Sequence, residues 1–175
     1  GQQLLKDKIS IDVLYTSPFP RAVQTADIIG EIIGVRNIIT EDKLRDTHSP
    51  GYIGMTYDDL IVIGGNVYDN PRNDNQESIT DISKRVALAF KTIFDKAQKE
   101  GKTIGIVSHG DPLRILIEFL KHPENGLPDP STMRDGDYLE KGTALKLDLD
   151  SSLRIVKSVL INSNKEGSQA TARKF

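Results

Sequence analysis

Two short segments carry side chains able to hold a phosphoryl group: Ser17-Pro18-Phe19-Pro20-Arg21 and Ser108-His109-Gly110-Asp111. Each follows an apolar run of strand character, at residues 11–15 and 103–107, and each leads into a segment with helical spacing. In an open α/β sheet, ligands bind beyond the carboxyl ends of the strands. A helix start there offers unpaired N–H groups and a positive dipole end, both suited to phosphate. Arg21 falls in the first helical turn, where its guanidinium can grip two phosphoryl oxygens at once. His109 stands at the second strand end, and Gly110 beside it leaves room for a close ligand. One phosphate bridging the two turns is the chemistry these residue types permit. Taken singly, a first-turn arginine is more often solvated than functional, and a histidine after a strand is as often structural as functional.

Other chemistries fit less well. The run Gly105-Ile106-Val107-Ser108-His109-Gly110 is one residue too long for a G-x-S-x-G nucleophile turn. Ser108 followed directly by His109 does not form a hydrolase triad by adjacency. Cysteine is absent, which excludes disulfides, thiolate metal ligands and a cysteine nucleophile. His48, His109 and His122 are the three histidines, so a histidine-rich metal site is not expected, and neither is a cofactor.

The elements that must position these residues follow from the pattern. Residues 3–8 read as the tail of a helix, and residues 11–15 as a buried strand. Ser17 has the chemistry of an N-cap and Pro18 that of a first helical residue. Ala22, Ala26, Ile29 and Ile33 keep helical spacing up to Gly34. A short strand at 37–40 precedes an irregular loop at 41–56, a length often functional in compact domains. A short helix is expected at 56–63, and loop at 64–76. Ser78 with Asp81 forms a capping-box pattern, opening an amphipathic helix that runs to about residue 99 with Ile82, Val86, Phe90 and Ile93 on one face. A strand at 103–107, a helix at 113–120 and a Pro/Gly/Asp loop at 121–136 come next. Two alternating segments, 144–149 and 153–161, form a hairpin. Strands alternating with helices and closed by a hairpin predict a three-layer α/β/α fold with a mixed, mostly parallel sheet. It forms one domain over 1–161, with a polar, disordered tail at 162–175.

The 175 residues suffice for one domain with a sizeable core. The net charge of −2 gives no electrostatic case for nucleic acid or an anionic membrane as the main partner. No apolar run approaches the roughly 20 residues needed to span a bilayer. The lack of cysteine fits a cytoplasmic location.

The motifs themselves resemble a known family. Ser17-Pro18-Phe19-Pro20-Arg21-Ala22-Val23-Gln24-Thr25-Ala26 resembles the S-P-x-x-R-A-x-Q-T-A signature of the histidine phosphatase (phosphoglycerate-mutase-like) superfamily. Val107-Ser108-His109-Gly110 resembles its V-S-H-G signature. Leu44-Arg45-Asp46 with Gly54-Met55-Thr56 resembles its L-R-E…G-L-T loop, and Gln76-Glu77-Ser78 with Arg85 its G-E-S…R segment. The resemblance covers about residues 1–161.

The resemblance implies a phosphatase of small phosphomonoesters that works through a phosphohistidine. A neighbouring alternative is a phosphoglycerate-mutase-type phosphomutase. Arg21 would be one arginine of the phosphate pocket and His109 its second histidine, with Gly110 and Ser17 beside the phosphate. Asp46 would stand at the position of the acid, one methylene shorter than the usual glutamate. The family's opening strand ends in Arg-His-Gly, which supplies the nucleophile; that tripeptide occurs nowhere here. The chain is therefore expected to lack the nucleophile and the central strand that would separate 103–107 from 144–149, and to be inactive. A non-catalytic, pseudophosphatase binding module is the other alternative. Unpaired buried amides cost on the order of 1–3 kcal/mol each, against a domain stability of about 5–15 kcal/mol. The chain is accordingly expected to be marginal or aggregation-prone unless the gap closes or another chain fills it.

Overall fold

The computed structural model describes residues 1–62, 75–127 and 138–162. In chain order the elements are helix α1 (Gln2–Lys6), strand β1 (Val13–Thr16), helix α2 (Pro20–Ile33), strand β2 (Ile38–Thr40), helix α3 (Tyr57–Val62), helix α4 (Ile79–Glu100), strand β3 (Ile104–Val107), helix α5 (Gly110–Lys121), and strands β4 (Thr143–Leu149) and β5 (Ile155–Asn162). Short 3-10 turns lie at Asp42–Leu44, Pro50–Tyr52 and Pro123–Asn125.

β1 is the middle of a parallel sheet in the order β2-β1-β3. Its four residues are all buried, which is why it reads as an unbroken apolar run. Val13 and Tyr15 face one side, packing with Ala89 and Ile93 of α4. Leu14 points the other way, towards α2 and Gly30. Gly30 is required there, because a Cβ would lie 2.7 Å from the Val35 carbonyl oxygen. α2 thus covers one face of the sheet, with α4 and α5 on the other, giving the three layers expected.

α4 starts as its local sequence dictates. The Ser78 hydroxyl accepts from the Asp81 N–H, the Asp81 carboxylate accepts from the Ser78 N–H, and Gly101 closes the helix at φ +63°. Ile82, Val86 and Phe90 of α4 pack against Ile115, Phe119 and Leu120 of α5 in the main core. The antiparallel hairpin β4–β5 sets Leu147, Leu149 and Ile155 on the same core. No ladder among the described residues joins β4 to β3, so each has one edge without a strand partner.

Among the boundaries that differ from the sequence reading are the starts of α2 and α5 and the end of β5. α2 starts at Pro20, with Phe19 as N-cap and no side-chain cap, instead of at Pro18 behind Ser17. The cause is Pro20: a residue before proline is pushed out of the helical region, and Phe19 is extended at φ −70°, ψ 135°. α5 starts at Gly110, three residues ahead of the apolar pattern, because Pro112 is tolerated in a first turn. β5 runs to Asn162, one residue into the expected tail; residues 163–175 lie outside the described residues. Much of the expected loops at 64–76 and 121–136 lies outside them too. No helix among the described residues is long and apolar enough to cross a membrane.

Candidate active site

β1 and β3 are neighbours, and their ends are level: Thr16 pairs with Val107, and the Ser17 N–H donates to the Val107 carbonyl at 2.9 Å. The sheet register therefore sets the two turns side by side. His109 is the N-cap of α5, with its side chain only 5% exposed. Its Nε2 lies 2.7 Å from the Ser17 hydroxyl. Its Nδ1 lies 3.4 Å from Asp46 Oδ2, and Arg21 Nη2 donates to that same oxygen at 2.5 Å. Phe19 braces both side chains: its ring meets the imidazole edge-on at 5.3 Å, and the Arg21 guanidinium lies 5.1 Å from its centroid. Exposure rises from His109 through Asp46 at 31% to Arg21 at 61%. The cluster is thus buried at the imidazole and open to solvent at the guanidinium.

The structure brings Arg21 and His109, one from each turn, onto a single carboxylate oxygen of Asp46 from the loop after β2. Ser17 is fully buried, with its hydroxyl turned to the imidazole. Gly110 is where expected, but the space over it holds the Tyr138 ring; a Cβ at 110 would lie 3.2 Å from Tyr138 Cδ1. The Tyr138 phenol donates to Asp111 at 2.5 Å, and the Arg114 guanidinium lies 5.0 Å from the ring centroid.

Asp46 is held by a clasp that sequence reasoning left without a role. Arg85, on the buried face of α4, places all five of its N–H groups. Nε and Nη2 donate to the two Glu77 carboxylate oxygens at 2.5 and 2.9 Å. Nη1 donates to the Lys43 and Arg45 carbonyls at 2.8 Å each, and Nη2 to the Asp46 carbonyl at 3.1 Å. Glu77 also accepts from the His48 N–H, and Ser108 donates its hydroxyl to the Leu44 carbonyl at 2.7 Å. Loop 43–48 is thereby stitched to α4 and to the tip of β3. An arginine among Ile82, Val86 and Ala89 on an apolar helix face was the available signal.

The electrostatics follow from burial and neighbours. Burial pushes the His109 pKa below 6.5; the Asp46 charge opposes this, while the Arg21 and Arg85 charges add to it, so the imidazole favours its neutral form. For Glu77, burial pushes upward, but the hydrogen bonds and charge of Arg85, the His48 N–H and the charge of Arg45 hold the carboxyl below 4.5. Burial, the bond to Asp111 and the Asp111 charge raise the Tyr138 phenol, against the pull of Arg114.

Comparison with known proteins places the chain in a family. The model of the histidine phosphatase superfamily (branch 1) matches residues 2–132. A phosphoglycerate mutase of Schizosaccharomyces pombe is 28% identical over 173 residues, covering 93% of this chain and 79% of that protein. Phosphoglycerate mutase-like protein 4 of Arabidopsis thaliana is 30% identical over 126 residues, covering 67% of this chain and 54% of that protein. In structure the chain is similar to the alpha-ribazole phosphatase of Shigella flexneri, with a TM-score of 0.66 and 22% identity over 96% of this chain and 82% of that one. It is also similar to a mycobacterial glucosyl-3-phosphoglycerate phosphatase, with a TM-score of 0.67 and 17% identity over 87% and 77% of the two chains. With the family model matching most of its length, this chain belongs to the histidine phosphatase superfamily.

Proposed function

We propose that this fold transfers the phosphoryl group of a small phosphomonoester, with hydrolysis as the outcome. The observation that carries the reading is the convergence of Arg21 and His109 on a single anionic oxygen, that of Asp46. A phosphoryl oxygen in its place would accept from the guanidinium and from the imidazole at once. Phosphoryl transfer depends mainly on positioning and charge stabilisation, which is what a cation and a dipolar donor at a helix start supply. Asp46 lies beside both groups and partly open to solvent, where a leaving-group oxygen would sit, and we assign it the proton transfer to that oxygen.

Attack through a phosphohistidine needs another imidazole. His122 sits at the far end of α5 from His109, roughly 18 Å of helix away. The His48 side chain is exposed, on the loop beyond Asp46. Neither supports nucleophilic attack, so the nucleophile in this reading comes from an Arg-His-Gly segment outside these 175 residues. The same observation favours a second reading, a binding module that holds phosphorylated ligands without turnover.

The test has two arms. Calorimetric titration of this chain with inorganic phosphate should show binding that Arg21→Ala and His109→Ala each weaken. Joined to an Arg-His-Gly strand, the chain should hydrolyse an aryl phosphate, and each substitution should lower turnover on the order of 100-fold. Unchanged turnover in both variants would remove the assignment. Binding without turnover in the extended protein would favour the module.

A further inference from the structure

Ser17 lies behind His109, away from solvent, and its hydroxyl has few ways to be satisfied. The residue is 0% exposed. Its oxygen already accepts from the Phe19 N–H at 3.2 Å, which uses one lone pair. Its remaining contact among the described residues is His109 Nε2 at 2.7 Å. On the other side of the ring, Nδ1 faces a carboxylate oxygen at 3.4 Å. A neutral imidazole carries one proton, on one nitrogen or the other.

We infer that Ser17 is a positioning residue that donates its hydroxyl proton to His109 Nε2 and so fixes the imidazole proton on Nδ1, aimed at the anion held with Arg21. This assignment rests on the phosphoryl-transfer reading for its purpose, but not for its geometry. With the proton on Nδ1, both ring nitrogens meet complementary groups: Nε2 accepts from Ser17, and Nδ1 donates towards the carboxylate. The other tautomer sets the Nδ1 lone pair against the negative Asp46 oxygen. It also leaves the Ser17 hydrogen to find another acceptor in a fully buried place, which is unfavourable. The doubly protonated ring has the same difficulty at Ser17. Burial of His109 and the nearby Arg21 and Arg85 guanidinium groups favour the neutral ring.

Two consequences separate this role from simple packing. First, the Ser17 backbone is fixed independently, by its N–H bond to Val107, so replacing the hydroxyl need not move the turn. Second, the pocket's donor count depends on the tautomer. Nδ1–H and Arg21 together give two donors to an incoming phosphoryl oxygen, whereas a bare Nδ1 would repel it.

The test is nitrogen-15 NMR of the His109 ring in this chain at about pH 8, above the ordinary imidazole range, with the signal assigned by its loss in His109→Gln. The expected spectrum shows Nδ1 protonated and Nε2 bare. Ser17→Ala should move the ring towards the Nε2-protonated form and weaken phosphate binding roughly three- to tenfold, the span of one lost hydrogen-bonding partner. Ser17→Thr keeps a hydroxyl and should restore both. A wild-type ring protonated on Nε2 overturns the proposal without reference to any variant, even if Ser17→Ala does not fold. An unchanged tautomer in folded Ser17→Ala overturns it as well. If the tautomer follows Ser17 while the wild-type chain binds no phosphate, the positioning role stands and the phosphoryl-transfer reading falls.

Discussion

Replacing Glu77 by Gln tests whether the clasp under Asp46 holds the loop as a buried ion pair. The substitution keeps shape and removes the charge. Glu77 and Arg85 side chains are 10% and 9% exposed, so solvent screens the pair little. In the wild type both carboxylate oxygens accept from Arg85, at 2.5 and 2.9 Å. In Glu77→Gln one of them becomes an amide that can only donate, facing a guanidinium N–H. Breaking a buried pair by removing one partner costs about 3–5 kcal/mol. With a neutral acceptor still present, about 3 kcal/mol is the figure to expect. For a chain of this size that corresponds to a fall in Tm of roughly 6–12 °C. The pH dependence identifies the cause. The folded-state pKa of Glu77 lies below 4.5, so its contribution is fully present above that value and is lost as pH falls through the folded value. The stability gap between wild type and Glu77→Gln, read by urea unfolding followed with circular dichroism, should be widest above pH 4.5 and close at lower pH. A gap below about 1 kcal/mol, or one equally wide in acid, would refute the argument.

Other outcomes follow from single contacts. Gly30→Ala forces a Cβ to within 2.7 Å of a backbone oxygen and should lower stability by about 1–3 kcal/mol in the same unfolding assay. Asp46→Asn removes the anion that already sits between Arg21 and His109. Because Asp46 is partly exposed, the relief is about 1 kcal/mol, and calorimetry should show phosphate binding roughly fivefold tighter. His109 has a folded pKa below its unfolded 6.5, so the unfolded chain takes up the proton first. Its neutral burial favours the fold above pH 6.5 and does so less as pH falls through the folded value. A urea series comparing wild type with His109→Gln should therefore show their difference drifting against the wild type below pH 6.5.

What the sequence disclosed was what lies close along the chain. The box of Ser78 and Asp81 was readable because both partners fall within one turn, and Gly101 stood where a left-handed residue had to end the helix. Arg21 and His109 were readable because each follows a strand into a helix, and parallel neighbouring strands must then bring the turns together. The start of α2 was misplaced because two prolines compete for the first turn, and the constraint from Pro20 on Phe19 prevails. The part of Arg85 that holds the loop was hidden because, beyond Glu77, its partners are carbonyl groups about 40 positions away, and carbonyls leave no mark on residue type. Tyr138 over Gly110 was hidden for a similar reason: a ring folding back across 28 residues follows no periodicity.

The hairpin's attachment has a thermal consequence. Leu147, Leu149 and Ile155 hold β4–β5 to the cluster around Phe119 by apolar contact, with no backbone ladder to the parallel sheet among the described residues. Contact of that kind has no preferred direction, and its driving force fades towards freezing. The strands of the parallel sheet are laced by directional bonds instead. In the cold, therefore, the hairpin's grip on the core loosens while the ladders of the parallel sheet persist.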